Sequence, residues 1–248
     1  MKQTKLIMGM PISVEIVGSE VDHKIFKEVF DYFRYVDGKY STYKPDSEIS
    51  LINAGLPKKS WSHEMKMILR MCEQTKRQTN GYFDIVRGGQ RDPSGLVKGW
   101  AIQNAASILA KHGYRNFYID AGGDIQVSGK NAKGKPWQVG IRNPFNRDEI
   151  IKKITLSTEG VATSGTYVRG QHIYNPLKPK EAIKDIVAIT VIGPDIYNAD
   201  RFATAAYAMG KKGIEFIEKL KDYEGYMINK DKTATMTSGF GGYVSRQT

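Results

Sequence analysis

The sequence predicts an α+β fold: a single domain, residues 1–248, with a mostly antiparallel sheet packed by helices. Three observations predict it. After an opening strand signal come three helical patterns, then a series of hairpin-like strand runs, then a helix and closing strands; an alternating βαβ sheet would interleave them. No repeat, low-complexity tract or linker interrupts that order. Hydrophobic residues at 40% and charged residues at 25% match folded globular chains, and a chain of this length hides roughly 70–75% of its unfolded surface.

Residues 5–17 alternate apolar and polar, with Ile7, Ile12, Val14 and Ile16 carrying a strand signal. Residues 22–36 place Ile25, Val29, Phe33 and Val36 on one helical face. Pro45, Asp46 and Ser47 set up a short helical turn over Ile49 and Leu51. Ser62 is placed to cap a helix reaching about Thr79, with Met65, Ile68, Leu69 and Cys72 turned inward and Asn80–Gly81 ending it. A loop rich in Gly and Arg, VRGGQRDPSG, leads to a third helix from about Ser94 to His112, stopped by Gly113. Strand runs follow in YRNFYID, DIQVSG, WQVGIR, KITLST and VATSG. A polar loop then precedes the apolar strand DIVAITVIG, and Asn198 is expected to cap a helix to Met209, closed by Gly210. The helix GIEFIEKL and the strands GYMIN and TATMT finish the chain.

Composition excludes several classes. Cys72 is the single cysteine, so no internal disulfide exists, and its apolar setting reads as a buried structural thiol. The four histidines are scattered without metal-ligand spacing, which argues against a cysteine/histidine zinc site and leaves an oxygen-ligated hard metal open. No run approaches a membrane span, and the opening MKQTKLIMGMPISVEIVG reads as an amphipathic strand rather than a signal peptide, which makes a cytoplasmic location the expectation. The net charge of +11 raises nucleic-acid binding, but the Lys and Arg are dispersed and do not interleave with aromatics, so no nucleic-acid role is expected.

Four segments could carry chemistry. The third helix begins Asp-Pro-Ser-Gly-Leu-Val-Lys-Gly, with Ser94 one turn behind Lys98. Free amides beside a lysine and a hydroxyl form an anion site; a solvated lysine after a cap accounts for the spacing equally well. Asp-Ala-Gly-Gly-Asp (120–124) is a tight hairpin with glycines at positive φ, or a place where backbone amides approach a ligand. The hydroxyl-rich stretch 157–167 leads to His172 in a polar loop, where an ordinary solvated histidine is the plain alternative to a functional one. In Asn-Ala-Asp-Arg-Phe-Ala-Thr (198–204), Asp200 and Thr204 are one helical turn apart, so both oxygens face one way. Carboxylate and hydroxyl oxygens suit Mg²⁺; the alternative is an aspartate favouring the helix dipole and a threonine bonding back into its own helix. Neither GxGxxG nor a P-loop is present.

The order and wording of these segments resemble the FAD:protein FMN transferases, the ApbE family. The matching pieces are MGMPISVEI, YSTYKPDSEIS, TNGYFD, DPSGLVKGWA, IDAGGDI, STEGVATSGTY, HIYNP and NADRFATAAYAMG, from about residue 8 to 210. The resemblance implies FAD as substrate, a divalent metal (usually Mg²⁺), and transfer of FMN to a threonine hydroxyl of an acceptor flavoprotein with release of AMP. Carried over by motif, Asp200, Thr204 and the Val97 carbonyl would hold the metal, with Lys98 beside it. The amides of Gly122 and Gly123 would meet the pyrophosphate, Met8 and Tyr43 the flavin, and Asp84 the adenosine end. Ser94 and Thr166 would join this FAD-binding set, and His172 would be the general base.

The sequence departs from the family pattern in three places. Asn175 stands where Asp is usual, the segment before the Lys-Gly helix is compressed, and Arg201 follows the metal aspartate where a small or acidic residue is usual. Three functions follow: a transferase, a metal-dependent FAD pyrophosphatase using water at the same site, or a non-catalytic FAD-binding protein.

Overall fold

The computed structural model describes residues 1–165 and 173–245. The opening strand is a hairpin. β1 (Lys2–Ile7) pairs antiparallel with β2 (Met10–Ile16), and Met8 and Gly9 form the turn at φ 56° and 71°. Two left-handed residues make a type I′ turn, whose twist matches that of paired strands. The turn also lets Ile7, Ile12, Val14 and Ile16 all reach the core despite their odd and even numbers.

The helices follow as the periodicity predicts. α1 (His23–Tyr40) buries Ile25, Val29, Phe33 and Val36, and α2 (Glu48–Asn53) is the short helix after Pro45. α3 (His63–Gln78) is capped by Ser62, whose hydroxyl accepts from the Met65 amide at 3.1 Å. Leu69 is only half-buried, while Cys72 is buried and its thiol is pushed up to about 12 by that burial. The Gly- and Arg-rich loop holds a small hairpin, β3 (Val86–Arg87) and β4 (Gln90–Arg91), turning on Gly88 and Gly89. α4 (Ser94–Lys111) then crosses the domain.

The remaining strands are β5 (Phe117–Ala121), β6 (Asp124–Ser128), β7 (Trp137–Asn143), β8 (Asn146–Leu156), β9 (Gly160–Gly165) and β10 (Ile186–Gly193). α5 (Ile196–Ala208), α6 (Lys212–Glu218), β11 (Glu224–Asn229) and β12 (Ala234–Met236) complete the described chain. The cap of α5 is Asp195, not Asn198: the Asp195 carboxylate accepts from the Asn198 amide at 2.8 Å, and Asn198 lies within the first turn.

Eight strands form one sheet in the order β1-β2-β5-β6-β9-β10-β11-β12, every neighbour antiparallel. The sheet is thus a meander in chain order, and the expected α+β architecture is present. Helices enter between β2 and β5 and between β10 and β11. The β7–β8 ribbon is inserted between β6 and β9. Alternation along each strand divides the core. Ile119, Ile189, Val191 and Met227 face the helices, while Ile125, Val127, Ile192 and Ile228 face Trp137, Val139, Ile154 and Leu156 of the ribbon. Among the described residues no helix is long and apolar enough to cross a membrane.

Candidate active site

The site lies where the sheet parts. β6 and β9 share only the pairs Ile125↔Val161 and Gln126↔Gly160. Beyond them the Asp124 carboxylate accepts from the Thr163 amide at 3.1 Å, taking the place of the next ladder bond. A cavity of about 870 Å³ opens there, with the helix pair α4–α5 at one side and the ribbon at the other. Its size is that of a pocket for a large small molecule.

Three charged groups meet at its floor. Lys98 on α4 forms an ion pair with Asp124 on β6, and its Nζ is 3.6 Å from Asp200 Oδ1 on α5. The second Asp200 oxygen accepts from the Gly99 amide at 2.8 Å. Asp124 and Asp200 are each 2% exposed. Burial holds the Asp200 carboxyl well above the usual carboxylate range; the Lys98 ammonium opposes this and the Asp124 carboxylate adds to it. Two buried carboxylates facing one ammonium leave room for a further cation. Thr204, one turn after Asp200, lines the same cavity.

The close crossing of α4 and α5 makes this geometry possible. A Cβ on Gly99 would stand 2.7 Å from Asp200 Cβ and 2.8 Å from the Ile196 carbonyl oxygen; one on Gly95 would meet Thr204 Cγ2 at 3.3 Å. Gly95 and Gly99 therefore form a groove in α4 that admits the Asp200/Thr204 face of α5. Gly99→Ala is expected to push the helices apart at a cost of about 1–3 kcal/mol, which a denaturant titration will read as a lower midpoint with an unchanged slope. Gln126 fixes the start of α5, accepting from the Ile196 amide at 2.8 Å.

The structure brings most of the sequence-predicted residues to this cavity. Asp84, Ser94, Lys98, Gly122, Gly123, Asp200 and Thr204 line it. Val97 is buried beside Lys98. Met8 is half-buried in the β1–β2 turn and outside the lining, and Tyr43 is 96% exposed and outside it as well. His172 and Thr166 lie outside the described residues. Gly122 and Gly123 form a type I′ turn with φ 64° and 98°, so the segment is a tight hairpin that also borders the cavity. Their amides, however, donate within the protein: Gly122 to the Pro11 carbonyl at 3.2 Å and Gly123 to Asp120 Oδ1 at 2.8 Å. Asp84 is tied to Lys76 at 2.7 Å and accepts from the Val86 amide. Lys98 is neither a solvated lysine nor an isolated anion site; its charge faces two carboxylates.

Sequence reasoning passed over Asp124 and Gly99. The signal for Gly99 was the i, i+4 glycine pair of GLVKG, and that for Asp124 was a carboxylate immediately after the turn glycines, at a strand start. Arg201 also takes a defined role. It is buried, donates to Asn198 Oδ1 at 2.8 and 2.6 Å, to Gln78 Oε1 at 2.5 Å and to Thr75 Oγ1 at 3.2 Å, and stacks over Phe202. It thereby pins the first turns of α5 to the last turn of α3, which runs directly into the cavity-lining segment Tyr82–Ile85. Arg201→Met takes the donor from the buried Thr75 hydroxyl and the half-buried Asn198 side chain, and a loss of about 1–3 kcal/mol is expected in thermal unfolding.

Comparison with known proteins decides the family. The ApbE family model matches residues 8–91 and 86–227. The chain belongs to the ApbE family. Among curated ApbE relatives, it is 26% identical over 165 residues to the FAD:protein FMN transferase of Salmonella typhimurium, a match covering 63% of this chain and 46% of that protein. It is 31% identical over 139 residues to the FAD:protein FMN transferase of Haemophilus influenzae, covering 52% and 40%. The match thus spans about half the length of the curated relatives. Solved ApbE structures share the fold. The flavin transferase ApbE from Vibrio cholerae superposes with a TM-score of 0.85 at 22% identity, over 98% of both chains. The ApbE protein from Thermotoga maritima does so with 0.87 at 19% identity, over 99% of both.

Proposed function

We propose that this chain is an FAD:protein FMN transferase: it binds FAD with a divalent metal and moves FMN onto a threonine hydroxyl of an acceptor flavoprotein, releasing AMP. The observation that carries this is the Lys98–Asp124–Asp200 cluster beside Thr204, in a cavity large enough for a dinucleotide. Membership of a family whose curated relatives bear that activity in their names supports it.

The residues fit a hard cation. Among the described residues no group of three or more His, Cys, Asp or Glu gathers as a complete metal cage. The donors are few and are all oxygens: Asp200, Thr204, the Val97 carbonyl and, from the geometry, Asp124. Mg²⁺ prefers such sparse oxygen sets completed by phosphates and water. Bound there, it would neutralise the pyrophosphate and stabilise the departing phosphate. Lys98 presents an ammonium to the same charge. His172 takes the proton from the threonine hydroxyl as Oγ bonds to the FMN phosphorus; the bond from that phosphorus to the bridging oxygen breaks, and AMP leaves with the oxygen.

Incubation with FAD and Mg²⁺, with and without an acceptor flavoprotein, tests this. AMP release that requires acceptor, with flavin covalently on the acceptor, is the expected result. AMP and free FMN without acceptor would make the chain a pyrophosphatase, and absence of AMP would make it a binding protein. His172→Ala should keep FAD binding and lose about 10²–10⁴-fold in transfer; unchanged turnover removes His172 from the reaction.

A further inference from the structure

β6 touches both helices of the site. Its Ile125 and Val127 face the ribbon core, so the alternate residues Asp124 and Gln126 project together onto the helix layer. Asp124 meets Lys98 of α4, and Gln126 meets the first amide of α5. Gln126 is buried and its whole carboxamide is engaged. Oε1 accepts from the Ile196 amide at 2.8 Å, while Nε2 donates to the Thr158 carbonyl at 2.8 Å and the Val127 carbonyl at 3.0 Å. The first amides of a helix have no partner within it, so this oxygen ties the α5 terminus to the sheet. Gly160, paired with Gln126 on β9, lets the backbones close up. A Cβ there would stand 2.1 Å from the Ile196 nitrogen and 2.4 Å from the Asp195 carbonyl carbon.

The spacings on the two elements match. Asp124 and Gln126 lie about 7 Å apart along an antiparallel strand, and Ile196 and Asp200 lie about 6 Å apart along a helix. With Gln126 opposite Ile196, α5 carries Asp200 back to the level of Asp124, where Lys98 Nζ reaches both carboxylates. We propose that Gln126 is a positioning residue for the cation site: its carboxamide sets the register of α5 against β6, and that register brings Asp200 beside Asp124 for a divalent cation. The inference rests on the metal reading of this site. Gln126 stands outside the cavity lining, so it acts through α5. Metal ligation tolerates only about 0.2 Å in distance, so slack at the α5 terminus, one turn before Asp200, is read directly in affinity for the ion.

To test it, Mn²⁺ in place of Mg²⁺ is titrated into each folded variant, alone and with FAD, and the free ion is read by electron paramagnetic resonance. Gln126→Met keeps the length of the side chain without the acceptor. It should bind Mn²⁺ about tenfold more weakly, the lower end of what loss of a ligand-orienting contact costs. Gln126→Glu keeps an oxygen for the Ile196 amide and should bind Mn²⁺ at least as tightly as the wild type. Its carboxyl, facing the Thr158 and Val127 carbonyls, should nonetheless lower the unfolding temperature. Val29→Ala, a buried truncation in α1, should lower that temperature as well without weakening the ion. If the Met variant does not fold, Gln126→Asn, one methylene short of the Ile196 amide, carries the same expectation. Wild-type affinity in the Met or Asn variant, or a loss of equal size in Gln126→Glu or Val29→Ala, overturns the positioning role and leaves the cation site standing. No Mn²⁺ binding by the wild type, with or without FAD, overturns the cation site and the positioning role with it.

Discussion

Asp200→Ala is expected to lower metal-dependent AMP release from FAD by about 10²–10³-fold, the range seen when one preorganised electrostatic contact to a transition state is removed. The structure makes Asp200 the hinge of the site. One oxygen is held by the Gly99 amide at 2.8 Å, and the other faces Lys98 and the cavity. Alanine removes that oxygen without filling its space. Its effect on stability should run the other way with pH. Burial raises the Asp200 pKa in the folded protein. A raised carboxyl favours folding at low pH and loses that contribution as pH climbs from about 4, the unfolded value, through the folded one. Without metal, the wild-type protein should therefore lose stability over that window relative to Asp200→Ala, and added Mg²⁺ should restore it in the wild type only. Thermal unfolding at several pH values, with and without chelator, measures both effects.

Lys98→Met is expected to be the most disruptive single change near the cavity. It leaves Asp124 and Asp200, both buried, without their ammonium. Breaking a buried ion pair by removing one partner costs about 3–5 kcal/mol, and part of that cost will be relieved by proton uptake at Asp200, whose carboxyl burial already raises. The variant should be least stable at high pH and recover as pH falls. On the proposed function activity should fall as well, since a protonated carboxyl is a poor metal ligand and the ammonium that would meet the substrate phosphates is gone. Stability equal to the wild type at pH 8 would show that the pair contributes little to holding α4 against β6.

The sequence made the helices and most strands legible because their burial is periodic. Val29, Phe33 and Val36 mark a helix face, and Ile12, Val14 and Ile16 mark a strand face, before any fold is known. It concealed the first turn because Met8 is an uncommon left-handed residue, although the shift from odd Ile7 to even Ile12 was a trace of it. The β3–β4 hairpin was hidden because its strands are only two residues each. At the site, Asp200 and Thr204 were legible because both lie on one helix and helical spacing is local. Asp124 was not, since its pairing with Lys98 depends on where the sheet parts between β6 and β9. Nor could local spacing show that the Gly122 and Gly123 amides would already have partners. Tyr43 was carried to the flavin by motif alone, and it stands exposed outside the cavity.

Asp200, with Lys98 and Asp124 around it, is proposed to hold a metal against the phosphates of FAD. Calorimetric titration of FAD into the protein with Mg²⁺ or with chelator tests it most directly, in the wild type and in Asp200→Ala. Mg²⁺ is expected to tighten FAD binding at least about tenfold in the wild type, a coupling of about 1.4 kcal/mol, and to leave the variant unchanged. FAD binding of equal affinity with and without metal in the wild type would contradict it.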